Sequence, residues 1–328
     1  MARIALDALG GDHAPAETVA GAVEAARRGV DVVLVGPRRA LEAELAEHGA
    51  DLPVVDAVDV VGMGDDPGRA LRDKPDASIS VAARLVAEGS AQGLVSAGST
   101  GAAMAAAAII VGRIPGVARP AIAIVFPTPA TPTLVLDAGA NTDVRPEQLA
   151  QFGLMGAIAV EALFDVESPR VGLLSIGEER GKGRELEKAA WDLLEAGPTN
   201  FVGNLEGRDI ASDKADVIVT DGFTGNIFLK TTEGAARLMS RYLLEALADI
   251  PAEAQEAVLP AIASVERRLD PETYGGAQLL GVKAVVVVAH GSSSRVAVAN
   301  ALTMARDGAD HDLAGRLTVA GRRPAAPA

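Results

Sequence analysis

The order of hydrophobic and polar positions repeats one pattern along the chain. A short run rich in Val, Ile and Leu ends in a loop of Gly, Asp, Ser or Asn, and a helix-like segment rich in Ala, Leu and Glu follows. Runs as apolar as Val285–Val288 are typical of strands buried on both faces of a sheet. Alternating strands and helices predict right-handed crossovers and a mostly parallel α/β sheet. The predicted strands cover residues 3–9, 31–35, 93–96, 121–126, 133–136, 170–175, 216–220 and 284–289.

Residues 235–275 break this pattern, because no strand separates their helical segments. Pro251 and Pro260 each fit the first turn of a new helix better than a helix interior. We therefore predict a helical hairpin that projects from a single catalytic domain at residues 1–310, followed by a flexible tail at 311–328. The apolar face of the hairpin consists of Leu243, Leu247, Ile250, Val258, Ile262, Val265 and Leu269.

Composition excludes several classes of function. The net charge of −14 repels nucleic acid in general, so no nucleic-acid partner is expected. The chain has no cysteine, which excludes disulfides, thiolate metal ligands and a thiol nucleophile. Residues 137–143 carry scattered oxygen ligands but miss the EF-hand spacing, and we predict neither a metal site nor a cofactor.

Two segments bear on location. The N-terminus reaches the acidic Asp7 before any apolar run develops, which argues against a signal peptide. Residues 89–112 carry no charge, but Ala, Gly and Ser dominate them, whereas a spanning helix needs about 20 predominantly apolar residues. We therefore expect a cytoplasmic protein.

The polar loops predict an anion site. In open α/β sheets, ligands bind beyond the carboxyl ends of the strands, where helix N-termini offer N–H groups and a positive dipole end. The standard nucleotide motifs fail, because Gly177–Gly183 is one residue short of a Walker A loop. A phosphate or carboxylate site is therefore predicted from the loops at 10–15, 97–101, 137–143, 176–183, 221–226 and 290–294.

Several side chains in these loops have two interpretations. His13 and His290 follow strand ends, and each either contacts ligand or is bonded to backbone. Ser99, Thr100, Ser292, Ser293 and Asn226 either bind ligand or cap the following helices. No GxSxG elbow surrounds any serine, which argues against an acyl-serine enzyme. The other two histidines, His48 and His311, are expected on the surface.

Taken together, the loop motifs resemble those of the PlsX family, the phosphate acyltransferases that act on acyl-acyl-carrier protein. The resemblance extends from residue 3 to about residue 308, with Leu9 where Met is usual and Ser175 where Asn is usual. The segments that carry it are Asp7–Pro15, Ala70–Ser78, Ser96–Ala102, Arg113–Pro120, Leu136–Asn141, Phe201–Asp209, Thr220–Ile227, Tyr274–Ala277 and Ala289–Ser293.

The resemblance implies a three-layer α/β/α sandwich with a Rossmann-like sheet, as in phosphotransacetylases and isocitrate dehydrogenases, and a homodimer. It implies transfer of a long-chain fatty acyl group from acyl-acyl-carrier protein to inorganic phosphate. The acyl phosphate would then feed a membrane glycerol-3-phosphate acyltransferase in phospholipid synthesis. Because phosphate itself attacks the thioester and is substantially dianionic at neutral pH, this reaction needs neither a cysteine nor a cofactor.

Roles follow for individual residues. We predict that Lys182 supplies charge to the phosphate or the oxyanion, the alternative being a solvated lysine on a loop. His13 and His290 are predicted to orient phosphate or protonate the leaving thiolate. The loops at 10–13, 99–101, 221–226 and 290–293 are expected to converge in one crevice. The predicted phosphate- or substrate-binding residues are Asp7, Gly10, Gly11, Asp12, Ser99, Thr100, Gly101, Asn141, Asp221, Gly222, Thr224, Gly225, Asn226, Gly291, Ser292 and Ser293.

Partners and alternatives complete the prediction. An acidic carrier protein needs a local basic surface on this acidic chain, and the candidates are Arg237, Arg241, Arg267, Arg268 and Lys283. The hairpin is expected to pack against its copy in a dimer, and its tip near residues 250–260 to make weak contact with a bilayer surface. The alternatives are a coenzyme-A-dependent phosphotransacetylase, a decarboxylating dehydrogenase and a non-catalytic lipid-binding module.

Overall fold

The structure is a computed structural model that describes residues 1–128, 131–248 and 250–321. Within these ranges, eleven strands pair into one sheet. The strands are β1 (Arg3–Asp7), β2 (Asp31–Gly36), β3 (Val54–Asp56), β4 (Gly93–Ser96), β5 (Ala121–Phe126), β6 (Thr133–Leu136), β7 (Arg170–Leu174), β8 (Asn200–Leu205), β9 (Val217–Val219), β10 (Ala277–Leu280) and β11 (Val285–Val288).

Eleven α-helices accompany the sheet in the described residues. A π-helical segment, Ala107–Gly112, continues the fifth helix, and short 3₁₀ turns lie at Gly207–Ala211 and Pro271–Thr273. The helices are α1 (Ala16–Arg27), α2 (Arg38–Glu47), α3 (Pro67–Asp73), α4 (Ser78–Ala87), α5 (Thr100–Ala106), α6 (Pro146–Phe164), α7 (Glu185–Glu195), α8 (Gly222–Ala248), α9 (Ala252–Leu269), α10 (Arg295–Asp310) and α11 (Leu313–Gly321).

All eight predicted strands are present, but β3, β8 and β10 were not predicted from the sequence. The strand order is β3-β2-β1-β4-β11-β10-β5-β6-β9-β7-β8. It contains two parallel blocks, β3-β2-β1-β4-β11 (the first block) and β6-β9-β7-β8 (the second block). Because β10 and β5 between them pair antiparallel to their neighbours, the two blocks run in opposite directions.

The register brings the carboxyl ends of both blocks to one level of the sheet. Val287 of β11 lies opposite Gln278 of β10, which lies opposite Ala123 of β5, which lies opposite Leu136 of β6. Strand β11 of the first block ends at Val288, one residue beyond this level. Strand β6 runs in the opposite direction and ends at Leu136, which lies on this level. Ligand-binding loops of both blocks therefore border the middle of the sheet, on either side of β10 and β5.

The two faces of the sheet are covered differently. One face carries a continuous apolar core under α1, α2, α6, α7, α10 and α11. The other face carries two separate clusters, one under α3, α4 and α5 and a smaller one around Val135, Ile210 and Ile218. Ile124 of β5 packs against both clusters, so the core on this face is interrupted above β5. The predicted three-layer α/β/α architecture is confirmed, with a gap in one layer.

The hairpin of α8 and α9 projects as predicted, but it contains two helices and not three. Pro251 precedes α9, whereas Pro260 lies inside it. The proline removes one backbone hydrogen bond, and the helix continues because none of its side chains is buried and water can satisfy the freed carbonyl.

Part of the segment predicted as a tail forms a helix. Residues 313–321 form α11, whose Leu313 and Leu317 are buried in the main core against α6. Burial of these two leucines holds the segment in place, and the remainder of the predicted tail, 322–328, lies outside the described residues. No helix in the described part of the chain combines the length and the apolar character needed to cross a bilayer.

Candidate active site

Three loops of the first block meet at the carboxyl ends of β1, β4 and β11. The Asp12 N–H donates to the Gly291 carbonyl oxygen at 2.7 Å, which joins the loops after β1 and β11. A Cβ at Gly10 would lie 2.6 Å from Asp7 Oδ2 and 2.7 Å from the Gly98 nitrogen. Only glycine allows this approach, so the sequence Gly10–Gly11 is needed to pack the loops together.

Asp7 lies beneath these loops. Its Oδ2 accepts a hydrogen bond from the Ser96 hydroxyl at 2.7 Å, and Ser96 Oγ accepts one from the Gly98 N–H at 3.1 Å. Burial raises the pKa of the Asp7 carboxyl, although the hydroxyls of Ser78 and Ser96 oppose the shift. Because only 3% of Asp7 is exposed, it positions the loop after β4 and does not face a ligand directly.

His290 stands at the exposed end of β11. Its Nδ1 lies 2.8 Å from the Ser292 hydroxyl and accepts the Ser292 N–H at 3.3 Å. An N–H group can only donate, so a neutral His290 ring carries its proton on Nε2. Among the residues that the structure describes, that N–H has no acceptor, so it can donate to a ligand.

The serines after His290 differ from one another. Ser294 caps α10, with Oγ accepting from Ala297 N at 3.5 Å, and its hydroxyl donates to Glu272 at 2.6 Å. The alternative that Ser292 or Ser293 caps this helix is therefore wrong, because the helix begins two residues further along. Ser293 is buried, and Ser292 is exposed beside His290.

The loop after β4 contains the cap that the sequence allowed. Ser99 Oγ accepts the Ala102 N–H at 3.5 Å at the start of α5. Thr100 is exposed and lines a cavity described below. Gly101 packs against Pro67, where a Cβ would lie 2.7 Å from the proline ring.

His13 is exposed at the start of the segment leading to α1. Nearby, Glu17 accepts hydrogen bonds from Arg295, and these bonds lower the pKa of Glu17. His13 lines neither of the two large cavities, whereas its neighbour Asp12 lines one.

The loops of the second block form a different polar cluster. The Asp137 carboxylate accepts the N–H groups of Ile122, Gly139, Ala140 and Asn141, and also the Asn141 side-chain amide. The same amide donates to the Pro120 carbonyl oxygen at 2.8 Å. Asn141 therefore holds this loop in shape, and the cluster uses its polar groups internally.

Asp221 connects this cluster to α8. Its carboxylate accepts the N–H and the hydroxyl of Thr224, both at 2.9 Å, and forms an ion pair with Arg184. Burial acts to raise the pKa of Asp221, but the bonds from Thr224 and Arg184 outweigh it, so the pKa lies below its usual value. Asp221 thus caps α8 in the place of Asn226, which lies exposed one turn further along.

Lys182 lies in the loop after β7, on the second block. Its side chain is exposed, and within the described residues its amine has no ion-pair partner. It is two residues from Arg184, which bonds Glu187 and Asp221. Lys182 lines neither large cavity, in contrast to His290.

The four loops expected to converge all contribute residues to one cavity, although they come from two blocks that run in opposite directions. The loops at 10–13, 99–101 and 290–293 meet on the first block. The loop at 221–226 follows β9, which belongs to the second block and runs in the opposite direction. Asn226 and Gly139 nevertheless line the same cavity as Thr100 and His290.

Two cavities open around His290. One, of about 600 Å³, lies above β5 between α8 and the first-block loops (the β5 cavity). The other, of about 930 Å³, lies between the hairpin and the residues around Ser292 (the hairpin cavity). His290, Glu233 and Ala236 line both.

Some residues near the site were not predicted. Met63 lines the β5 cavity beside Gly291, Arg184 pairs with Asp221, and Glu272 holds Ser294. Met63 lies in the Gly62–Gly64 loop, whose glycines were the only sequence signal. Arg184 follows the Lys182 loop directly, and Glu272 lies beside the predicted hairpin, far in sequence from its partner.

The predicted basic surface is divided. Arg237 and Arg241 line the hairpin cavity. Lys283 lies in the turn between β10 and β11 beside Gly112, which is the other end of these strands. The hairpin adjoins the beginning of β10, whereas Lys283 follows the end of this strand. Lys283 therefore does not belong to the predicted basic surface.

The described residues contain no group of three or more His, Asp or Glu side chains arranged to hold a metal ion. The fold resembles a phosphotransacetylase from Streptococcus pyogenes, with a TM-score of 0.63 at 17% identity over 93% of this chain and 94% of that one. A branched-chain phosphotransacylase from Enterococcus faecalis gives a TM-score of 0.58 at 15% identity, over 94% and 99% of the two chains.

Sequence comparison finds relatives with much higher identity than these structures. The phosphate acyltransferase of Heliobacterium modesticaldum is 49% identical over 313 residues, which cover 93% of this chain and 93% of that protein. The phosphate acyltransferase of Nitratidesulfovibrio vulgaris is 48% identical over 309 residues, or 92% and 90% of the two chains. Residues 2–316 match the sequence profile of a family described as fatty acid synthesis protein. The chain therefore belongs to this family, and it is an acyltransferase of the phosphate acyltransferase type that its loop motifs resemble.

Proposed function

We propose that the enzyme transfers a long-chain fatty acyl group from acyl-acyl-carrier protein to inorganic phosphate, giving acyl phosphate and free carrier. The observation that carries the proposal is that two cavities meet at His290. A donor with a long chain on one side of its thioester and a carrier arm on the other needs two such spaces. The thioester would then lie beside His290 and the first-block loops.

Phosphate would bind at the first-block loops. The N–H groups of Thr100 and Gly101 lie in the first turn of α5, where no intrahelical acceptor exists for them. Such groups, with the positive end of the helix dipole, favour an anion. Thr100 and Asp12 line the β5 cavity next to His290, so a phosphate held there would be close to the thioester.

In the reaction, a phosphate oxygen attacks the thioester carbonyl carbon, a C–O bond forms and the C–S bond breaks. The proton lost by phosphate is taken up by the leaving thiolate, so no net proton is consumed. Donors aimed at the oxyanion contribute about 10²–10³ in rate each. Of the two candidate histidines, His290 is favoured to donate at this centre, because its Nε2 is free and it lines both cavities.

The carrier would approach from the hairpin side. Arg237 and Arg241 line the hairpin cavity, and Arg267 and Arg268 lie in the last turn of α9. Arg241 pairs with Glu245, and acidic residues also line this cavity. Arg237, Arg267 and Arg268 are therefore the cations proposed to meet an acidic carrier, whose approach the overall charge of −14 opposes. Charge reversal there is expected to raise KM for the carrier donor.

The hairpin would also form a homodimer. Large apolar side chains are exposed along both helices, more than a monomer surface ordinarily carries. An isologous contact between two hairpins would bury part of such a stripe and leave the tip free to touch a bilayer, where a membrane glycerol-3-phosphate acyltransferase would accept the product. The exposed apolar residues are Leu238, Met239, Tyr242, Leu243, Leu244, Val258, Leu259, Val265 and Leu269.

The purified enzyme tests the proposal with phosphate and either palmitoyl-acyl-carrier protein or acetyl-coenzyme A. We expect phosphate-dependent release of free carrier and formation of palmitoyl phosphate, trapped as the hydroxamate. Turnover of acetyl-coenzyme A without turnover of the carrier donor would contradict the carrier-dependent reaction and indicate a phosphotransacetylase.

A further inference from the structure

The β5 cavity has an apolar floor. Ile122, Ile124 and Phe126 alternate along β5, and alternate residues of a strand point to the same face of a sheet. All three line the cavity, together with Phe228 and Leu229 of α8. The floor thus runs along the strand for several residues beneath α8.

The cavity exists because the two apolar clusters of this face do not meet. Ile124 contacts both clusters, and small residues stand where larger ones would close the gap, namely Ala138, Gly139 and Ala277. On one side the rings of Phe126 and Phe228 pack with centroids 5.5 Å apart. A gap that the protein's own side chains leave open in this way is suited to an apolar ligand.

Polar groups line the cavity at its two ends and along α8. Asp12, Thr100 and His290 lie at the first-block loops, and Asn226 lies toward the second block. The other polar lining residues are Lys230, Thr232, Glu233, Asp270 and Tyr274, of which Lys230 and Glu233 form an ion pair. The apolar floor lies opposite α8. A volume of about 600 Å³ lies within the usual range of about 300–1,000 Å³ for small-molecule sites.

We infer that the β5 cavity holds the acyl chain of the donor along β5, with the thioester at His290, and that Ala236 and Ala277 set the chain length it accepts. This inference rests on the proposed function, since it assigns a place to one part of that donor. Ala236 faces the cavity from α8, and Ala277 faces it from β10, on the same side of the sheet as Val288. A larger side chain at either position occupies the space of several methylenes.

The test is the chain-length profile of cavity-filling variants. Ala236→Leu and Ala277→Leu are compared with Ala235→Leu, which makes the same change at the neighbouring exposed position of α8 that does not line the cavity. kcat/KM is measured for butyryl-, octanoyl- and palmitoyl-acyl-carrier protein. Thermal melts of each variant confirm that it is folded.

A buried methylene changes affinity about fourfold, so loss of space for two or three of them is expected to lower the palmitoyl-to-butyryl ratio of kcat/KM by at least about tenfold. Butyryl transfer should fall less than palmitoyl transfer in both variants, and the whole profile of Ala235→Leu should match the parent enzyme. Both filling variants are needed, because α8 and β10 tolerate added volume differently.

Two outcomes overturn the inference: an unchanged chain-length profile in both filling variants, or an equal loss for all three donors in both. Neither is confused with failure of the proposed function, which would appear as absence of transfer from every carrier donor by the parent enzyme.

Discussion

The Asp12 N–H and the Gly291 carbonyl oxygen, 2.7 Å apart, bond two loops whose strands are not neighbours, because β4 lies between β1 and β11. The loop after β4 is held from below by Ser96 and Asp7. Three loops are thus fixed relative to one another by backbone and buried side-chain bonds, so the proposed anion site would be formed before any ligand arrives.

Gly10→Ala tests this packing. The added methyl would lie 2.6 Å from Asp7 Oδ2 and 2.7 Å from Gly98 N, so the loop after β4 must move. We expect KM for phosphate to rise at least about tenfold, since a displacement of about 1 Å can cost about a hundredfold. Gly207→Ala is the control, because no atom lies within 4 Å of the added methyl there. Equal phosphate saturation curves for both variants would contradict the role of Gly10.

His290→Ala is expected to lower kcat by about 10²–10⁴, the usual contribution of a positioned acid or base. His290→Gln keeps a donor near the position of Nε2 and should recover part of this loss. His48→Ala, at the end of α2, serves as the control. Steady-state assays over a range of pH check the role, and a kcat for His290→Ala within twofold of the parent value would exclude it.

Much of this site was predictable from the sequence, and the reasons for the rest are specific. Apolar runs ending in polar loops identified all strands of the two blocks except β3 and β8, because a strand buried on both faces must be apolar throughout. The opposite directions of the two blocks were not predicted. Only residues 127–132 separate β5 from β6, which is too few for a parallel crossover and therefore indicates an antiparallel pair. His13 and His290 carry the same local signal, and only the cavities distinguish them.

Lys182→Ala tests the charge predicted for the loop after β7. Within the described chain the amine of Lys182 has no ion-pair partner, and Lys182 lines neither cavity. A direct contact with phosphate therefore requires that the loop after β7 move toward the first-block loops or that phosphate bind closer to the second block. We expect kcat to fall at least about tenfold if Lys182 contacts the reacting phosphate. Lys188→Ala, which breaks only the exposed pair with Glu185, is the matched control. Near-normal turnover of Lys182→Ala at saturating phosphate would show that Lys182 is a solvated surface residue.

Arg184→Ala is expected to lower stability at neutral pH and to make stability depend less on pH in the acid range. The pKa of Asp221 lies below its usual value of about 3.9, so its ion pair stabilises the fold above that pH and this stabilisation is lost as the pH falls through the lowered pKa. Without Arg184 the pKa of Asp221 moves back toward its value in the unfolded chain, so less stability is lost as the pH falls, and the difference between variant and parent narrows in acid.

At neutral pH the change should cost about 1–2 kcal/mol, a value reduced because Arg184 is largely exposed. Arg180→Ala removes only exposed pairs with Asp192 and Glu195 and should leave stability nearly unchanged. Thermal melts from pH 3 to pH 7 compare the variants. Parallel curves for parent and Arg184→Ala would show that the pair does not govern acid stability.

The last prediction concerns the hairpin. Val258 and Leu259 are 39% and 43% exposed, about two turns or roughly 10 Å from the beginning of α9, within reach of a bilayer interface touched by the tip. Glu253 and Glu256 oppose anionic lipid, so the attachment should be weak and driven by apolar burial.

Val258→Glu with Leu259→Glu is therefore expected to abolish co-sedimentation with phosphatidylglycerol-containing liposomes and to leave an active dimer. Val58→Glu with Val60→Glu adds the same charge at an exposed apolar pair outside the hairpin and should leave sedimentation unchanged. Sedimentation velocity reports the oligomeric state of each variant. A hairpin variant that still sediments with liposomes would exclude the tip as the membrane contact. One that becomes monomeric would instead assign Val258 and Leu259 to the dimer interface, where added carboxylates must be desolvated against their copies.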